Sequence, residues 1–131
     1  MACVPGNQER SGDSIKFQQY YAEGERLYKA YCSNCHQNDG TGLRRLYPPL
    51  VNSDFMTQNL NEVLCIIKYG RKGELWVNRI MYNQPMKGNP GLTELEVAEI
   101  ATYIYNSWGN VHETIEVAEV ASVLASCEDK E

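Results

Sequence analysis

Two thiols and an imidazole stand within five residues at Cys32-Ser33-Asn34-Cys35-His36. Each cysteine sulfur can add to a vinyl group and form a thioether. On one helical turn the two sulfurs span the edge of a single macrocycle. An imidazole placed next to them lies under the ring and ligates its metal, leaving the opposite face for a second ligand. The spacing therefore predicts covalent attachment of one c-type haem through Cys32 and Cys35, with His36 on the iron.

Two other chemistries use a pair of cysteines at this spacing. A zinc site needs a second pair of soft ligands. Here Cys3, Cys65 and Cys127 are isolated in sequence, and the other histidine is His112. A thioredoxin-like dithiol follows a buried strand and opens a helix within a βαβ unit. The residues before Cys32 instead have a helical period, and no βα alternation follows.

The second axial ligand has four candidates of the right softness, Met1, Met56, Met81 and Met86. A thioether is a neutral ligand that stabilises ferrous iron and raises the potential. Met86 lies in a polar, Pro- and Gly-rich run from Asn83 to Gly91, suited to fold over a ring face. Met81 sits in a more apolar run, where a core role is expected. An indole N–H or a guanidinium could satisfy a haem propionate, and Trp76, Arg71, Arg44 and Arg45 are the candidates.

Helices must position these groups. Phe17, Tyr20, Tyr21, Gly24, Leu27, Tyr28 and Tyr31 recur at helical spacing and predict a helix over 17–34. Gly24 costs about 1 kcal/mol relative to alanine inside a helix, which suggests close approach of another element. Residues 37–57 read as a loop, with Asp39-Gly40-Thr41-Gly42 as a turn and Pro48-Pro49 unable to continue a helix. A second helix is expected over 58–69, burying Leu60, Val63, Leu64 and Ile67 and ending at Gly70. Cys65 lies inside it without a histidine at the right offset and reads as a small buried hydrophobe. A short turn over 74–78 and an extended loop over 79–91 follow. Thr93-Glu94-Leu95-Glu96 is a capping box for a helix over 93–108 with Val97, Ile100, Ala101, Ile104 and Trp108 inward.

Beyond Gly109-Asn110, residues 114–126 predict a further apolar helix capped by Thr114. It either packs back on the domain, the favoured arrangement, or docks on a partner subunit. Cys127 is free, or pairs with Cys65 or Cys3 in an oxidising compartment.

The chain of 131 residues fits one domain, and its 43% hydrophobic content forms a modest core that a haem would enlarge. No stretch is long and apolar enough to span a membrane. A net charge of −5 weighs against nucleic acid and favours a partner with a basic docking patch. The polar N terminus reads as a flexible lead-in or tether. It has no signal-peptide core, so a mature or processed form is expected. Cys3 resembles the lipid-attachment cysteine of an exported bacterial chain; the alternative is an ordinary exposed thiol.

Several runs fall in one family's order: Gly24-x-x-x-Tyr28, Cys32-x-x-Cys35-His36, Gly40-Thr41-Gly42, Tyr47-Pro48-Pro49-Leu50, Val77-Asn78, Tyr82-Asn83, Met86, and Tyr103 through Asn110. Over about residues 20–110 the chain resembles a class I cytochrome c, and is most similar to small bacterial monohaem members with a Pro-Pro-Leu segment. The resemblance implies an all-α fold of three to four main helices around one covalent haem, with an extra C-terminal helix. Its domain plan is a lead-in over 1–16, a cytochrome c domain over 17–110 and a helical extension over 111–131. It implies Met86 as the second iron ligand. It implies a proline carbonyl on the other nitrogen of His36, mapped to Pro49 with Pro48 as the alternative register. The helix over 93–108 should cross the first at Gly24, near Tyr28 and Tyr103.

The implied function is one-electron transfer, not enzyme catalysis, in a periplasmic or membrane-surface chain. The implied partners are a terminal oxidase, a dehydrogenase or a reductase. Two other readings stay open: a haem sensor or haem enzyme subunit with a labile distal ligand, and an interaction module in which haem mainly stabilises the fold.

Overall fold

The computed structural model describes residues 14–127; Cys3 and the rest of 1–13 and 128–131 lie outside the described residues. The first helix, α1, runs Ile15–Tyr31 and begins where the Ser14 hydroxyl accepts the Phe17 N–H at 2.9 Å. It buries Tyr20, Gly24, Leu27 and Tyr28. That face packs on α5, Glu94–Ile104. The crossing point is Gly24, where a methyl group would stand 2.0 Å from the Glu99 carbonyl oxygen. Only glycine lets the two backbones approach so closely. Beside it Tyr28, Tyr103 and Trp108 form a triangle of rings with centroids 5.4–5.7 Å apart, a favourable aromatic spacing.

The capping box of α5 is present in both directions. The Thr93 hydroxyl accepts the Glu96 N–H at 3.1 Å, and the Glu96 carboxylate accepts the Thr93 N–H at 2.9 Å. Val97, Ile100, Ala101 and Ile104 are buried as expected, whereas Trp108 lies past the helix end and is only half-buried.

Two helix boundaries differ from expectation. The first helix stops at Tyr31 because Cys32 leaves helical geometry (φ −122°, ψ −30°), and a separate turn, α2, spans Ser33–His36. Within the expected loop a short helix, α3, spans Asp54–Gln58, capped by the Ser53 hydroxyl on the Met56 N–H at 3.1 Å. The helix α4 then runs Leu60–Tyr69.

The all-α expectation is corrected by two small antiparallel pairs. Strands β1 (Gly70–Arg71) and β4 (Met86–Lys87) pair with Arg71 opposite Met86. Strands β2 (Leu75–Val77) and β3 (Ile80–Tyr82) form a hairpin. Its turn residues Asn78 and Arg79 both have positive φ (52° and 70°), the geometry that matches strand twist in a two-residue turn. Asp54 and Asn78 exchange hydrogen bonds of 2.8 and 2.9 Å, tying α3 to this hairpin. Segments this short carry no readable alternation, and their pairing is tertiary.

The C-terminal extension packs back. Its helix, α6, spans Val117–Leu124 and lies against α5 and α4. It begins after Glu116 rather than at Thr114, without a side-chain cap. Ile115, Val120 and Leu124 are buried, and the Ile115 N–H donates to the Thr102 hydroxyl at 3.0 Å. A Cys65–Cys127 disulfide joins α4 to the end of this segment. Cys65 is thus a half-buried cross-link and not a plain buried hydrophobe, because α6 returns over α4. No helix among the described residues is long and apolar enough to cross a membrane.

Candidate functional site

Two adjoining hollows lie between α2, α4, the 47–50 loop and the strands. The larger holds about 310 Å³ and the deeper one about 80 Å³. Cys32, His36, Pro48, Ile66, Leu75 and Met86 line both. The deeper wall is apolar, with Phe55, Met56, Val63, Ile67, Ile100 and Ile104. This is the size and character of a site for a largely apolar small molecule.

His36 closes one side and is only 7% exposed. Its Nδ1 lies 3.0 Å from the Pro48 carbonyl oxygen. A carbonyl only accepts, so Nδ1 carries the proton and Nε2 keeps its lone pair for a metal. Burial lowers the His36 pKa, while the Pro48 hydrogen bond works in the opposite direction. The buried ring is therefore the neutral imidazole that ligation requires. The partner carbonyl is that of Pro48, which corrects the assignment to Pro49. The reason lies in the loop's own bonds. The Gly42 N–H donates to the His36 carbonyl at 3.0 Å, and the Leu43 N–H donates to Tyr47 at 2.9 Å. These two bonds bring the Pro48 carbonyl to the ring, and Pro49 instead lines the deeper hollow.

Cys32 stands at the break between α1 and α2, Cys35 lies within α2, and both line the larger hollow. Burial, then the nearby Cys35, pushes the Cys32 thiol up to about 12. A redox dithiol needs the opposite, a thiolate favoured near neutral pH. Zinc is disfavoured as well. Cys65 and Cys127 are bonded to each other, and no group of three or more His, Cys, Asp or Glu comes together among the described residues.

Met86 sits on β4, half-buried, lining both hollows with His36. Met81 does not line either one. It is 38% exposed opposite Trp76 on the hairpin, so its expected core role is not found. Met56 is a wall residue that sequence reasoning left without a role. It is 5% exposed, and its carbonyl accepts the Tyr105 hydroxyl at 2.7 Å. The readable signal was the Ser53-Asp54 start of its short helix.

Among the propionate candidates only Arg71 reaches the site. It lines the larger hollow, and its Nη2 donates to the Glu74 carbonyl at 2.7 Å. Its Nη1 lies 3.4 Å from Glu62, and its buried Nε makes no hydrogen bond. An orphaned buried cationic donor beside an apolar hollow fits a flat apolar ring carrying carboxylates on one edge. Trp76 is 60% exposed and outside both hollows, because strand alternation turns Leu75 and Val77 inward in its place. Arg44 and Arg45 are exposed and also outside them. His112 is exposed, beside Tyr105.

Comparison with known proteins agrees with this chemistry. Residues 19–104 match the family model described as cytochrome c oxidase, cbb3-type, subunit III. The chain is 28% identical over 93 residues to cytochrome c-552 of Thermus thermophilus, covering 68% of this chain and 70% of that one. It is 34% identical over 113 residues to the fructose dehydrogenase cytochrome subunit of Gluconobacter japonicus, covering 79% of this chain and 22% of that one. Against the cytochrome c subunit of the quinone alcohol dehydrogenase of Gluconacetobacter polyoxogenes it is 32% identical over 93 residues, covering 66% and 19%. The chain thus spans about a fifth of each dehydrogenase subunit.

Proposed function

The chain belongs to the c-type cytochromes of the cbb3-type oxidase subunit III family, and on that premise we propose that it shuttles electrons outside the cytoplasm with His36 and Met86 as axial ligands. As a family member it holds haem c covalently and is an electron carrier rather than an enzyme. When bound, the haem iron supplies the chemistry, a one-electron change between ferric and ferrous states.

The residues of the chain set the conditions for that change. Cys32 and Cys35 fix the ring edge. Pro48 orients His36 and raises its basicity. The Met86 sulfur is a neutral soft donor. Ile66, Ile67, Ile100 and Ile104 exclude water from the deep wall, so charge is disfavoured there. Arg71 offers a cation to a propionate. The observation that carries the reading is that His36 and Met86 line the same two hollows, while His112 and Met81 lie outside them. The Cys65–Cys127 disulfide supports an oxidising, extracytoplasmic compartment. The partner is a redox protein such as a dehydrogenase, a reductase or a terminal oxidase. Relatives named as cytochrome subunits of dehydrogenases favour the first.

The test is the optical spectrum of the haem-loaded protein. The oxidised form should show the weak near-red band of methionine sulfur on ferric haem. The band should vanish in Met86→Ala and survive in Met81→Ala. Absence of the band in the parent, with ready uptake of carbon monoxide by the reduced form, would replace the carrier by a ligand-binding haem protein.

A further inference from the structure

We propose that Lys68 is a positioning residue that holds Met86 on the iron and thereby keeps the haem closed to external ligands; this rests on the reading of Met86 as an axial ligand. The segment that follows Met86 is laced to the end of α4. Lys68 Nζ donates to the carbonyl oxygens of Pro90, at 2.8 Å, and Leu92, at 2.6 Å. The Lys68 carbonyl accepts the Asn89 N–H at 3.0 Å. Asn89 Nδ2 reaches the Ile67 carbonyl at 3.5 Å. Gly88 lies against the same turn, where a methyl group would stand 2.4 Å from the Tyr69 carbonyl carbon.

Upstream of these bonds Met86 has one backbone support, the two-residue β1–β4 pair. So short a ladder does not hold a loop by itself. The ammonium adds two charge-assisted bonds on the far side of Met86, stronger than neutral ones. They also fix the methionine to the haem wall, because α4 contributes Val63, Ile66 and Ile67 to the hollows. Ligand and wall then move as one body. Without the ammonium, the Pro90 and Leu92 carbonyls lose their donor, and the 86–92 segment becomes the first to open locally. A transiently open distal side is what an external ligand needs, so its uptake scales with the open fraction.

The experiment compares haem-loaded parent, Lys68→Leu, Lys68→Arg and Met86→Ala. It follows the near-red band and the far-ultraviolet helix signal through a denaturant titration, carbon monoxide uptake by the reduced protein, and amide exchange at Asn89 and Leu92. Lys68→Leu should lose the band at lower denaturant than it loses helix. It should take up carbon monoxide about tenfold faster or more and exchange the two amides faster. Lys68→Arg should recover most of the parent behaviour. Parent-like band and uptake in Lys68→Leu would overturn the proposal. So would loss of band and helix together, which is the mark of a general stability role. A parent indistinguishable from Met86→Ala would overturn the ligand assignment itself, and the role of Lys68 with it.

Discussion

The ring of His36 and the carbonyl of Pro48 are 3.0 Å apart, and among the described residues no other carbonyl holds Nδ1. The bond depends on Gly42, which has φ +72° and lies so close that a methyl group would stand 2.7 Å from the Pro48 oxygen. Gly42→Ala should therefore push the Pro48 carbonyl off the ring and cost about 1–3 kcal/mol from the left-handed backbone alone. A less basic His36 stabilises ferric iron less, so the reduction potential should rise. Potentiometric titration with a parallel denaturant curve checks both effects. An unchanged potential would mean that the Pro48 bond does not tune the iron.

The α1–α5 crossing gives a second prediction. At Gly24 a side chain meets the Glu99 carbonyl at 2.0 Å and the Tyr103 Cβ at 2.8 Å. Gly24→Ala gains helix propensity of about 1 kcal/mol but must separate the helices, a strain of about 1–3 kcal/mol. A net loss is expected, with Tyr28 and Tyr103 shifting together. Equilibrium unfolding should show it, and a more stable variant would contradict this geometry.

The Cys65–Cys127 bond closes a loop with a sequence separation of 62. On the chain-entropy argument such a closure contributes up to about 4 kcal/mol. Cys127→Ser should lower stability towards that amount, and a thiol reductant should destabilise the parent while leaving the variant unaffected. The absorption of the bound haem should change little, because the clip joins α4 to the chain beyond α6 and touches neither ligand residue. A large spectral change would show that the extension acts on the haem itself.

Glu99 gives a pH prediction. Burial, then repulsion from Glu23 and Glu96, raises its pKa, with Arg26 acting the other way. A carboxyl with a raised folded pKa binds more protons folded than unfolded, so it lowers stability once both states are ionised. Stability then recovers as pH falls through the raised value. Glu99→Gln should stabilise the protein at neutral pH, and the gain should disappear below the ordinary glutamate range. Thermal melts of both proteins across that range check the sign.

What the sequence made legible was local. The spacing of Cys32, Cys35 and His36 sits on one turn, the Thr93–Glu96 box spans three residues, and Gly24 interrupts an otherwise regular stripe. What it hid depends on partners distant in the chain. Choosing Pro48 over Pro49 requires the bonds from Gly42 to His36 and from Leu43 to Tyr47. Trp76 faces outward because three-residue strands pair across Asn78-Arg79, too short a run to show alternation. Cys65 looked like an ordinary core position until α6 folded back to meet it. Lys68 sat unremarked at the end of a helix because its two acceptors lie 22 and 24 residues away.

The described cysteines have opposite fates, and this constrains how the protein is made. Cys65 and Cys127 are oxidised to each other. On the proposed attachment, Cys32 and Cys35 must remain reduced until their sulfurs meet vinyl carbon. Both requirements apply to one polypeptide. If Cys32 and Cys35 closed on each other first, the molecule would have its clip and no cofactor. If Cys65 or Cys127 were captured by either of them, it would have neither. Manufacture therefore has to sort these four thiols among the described residues. The fold keeps them apart by placing one pair at the wall of the hollow and the other where α6 returns over α4, so correct pairing is built into the folded chain.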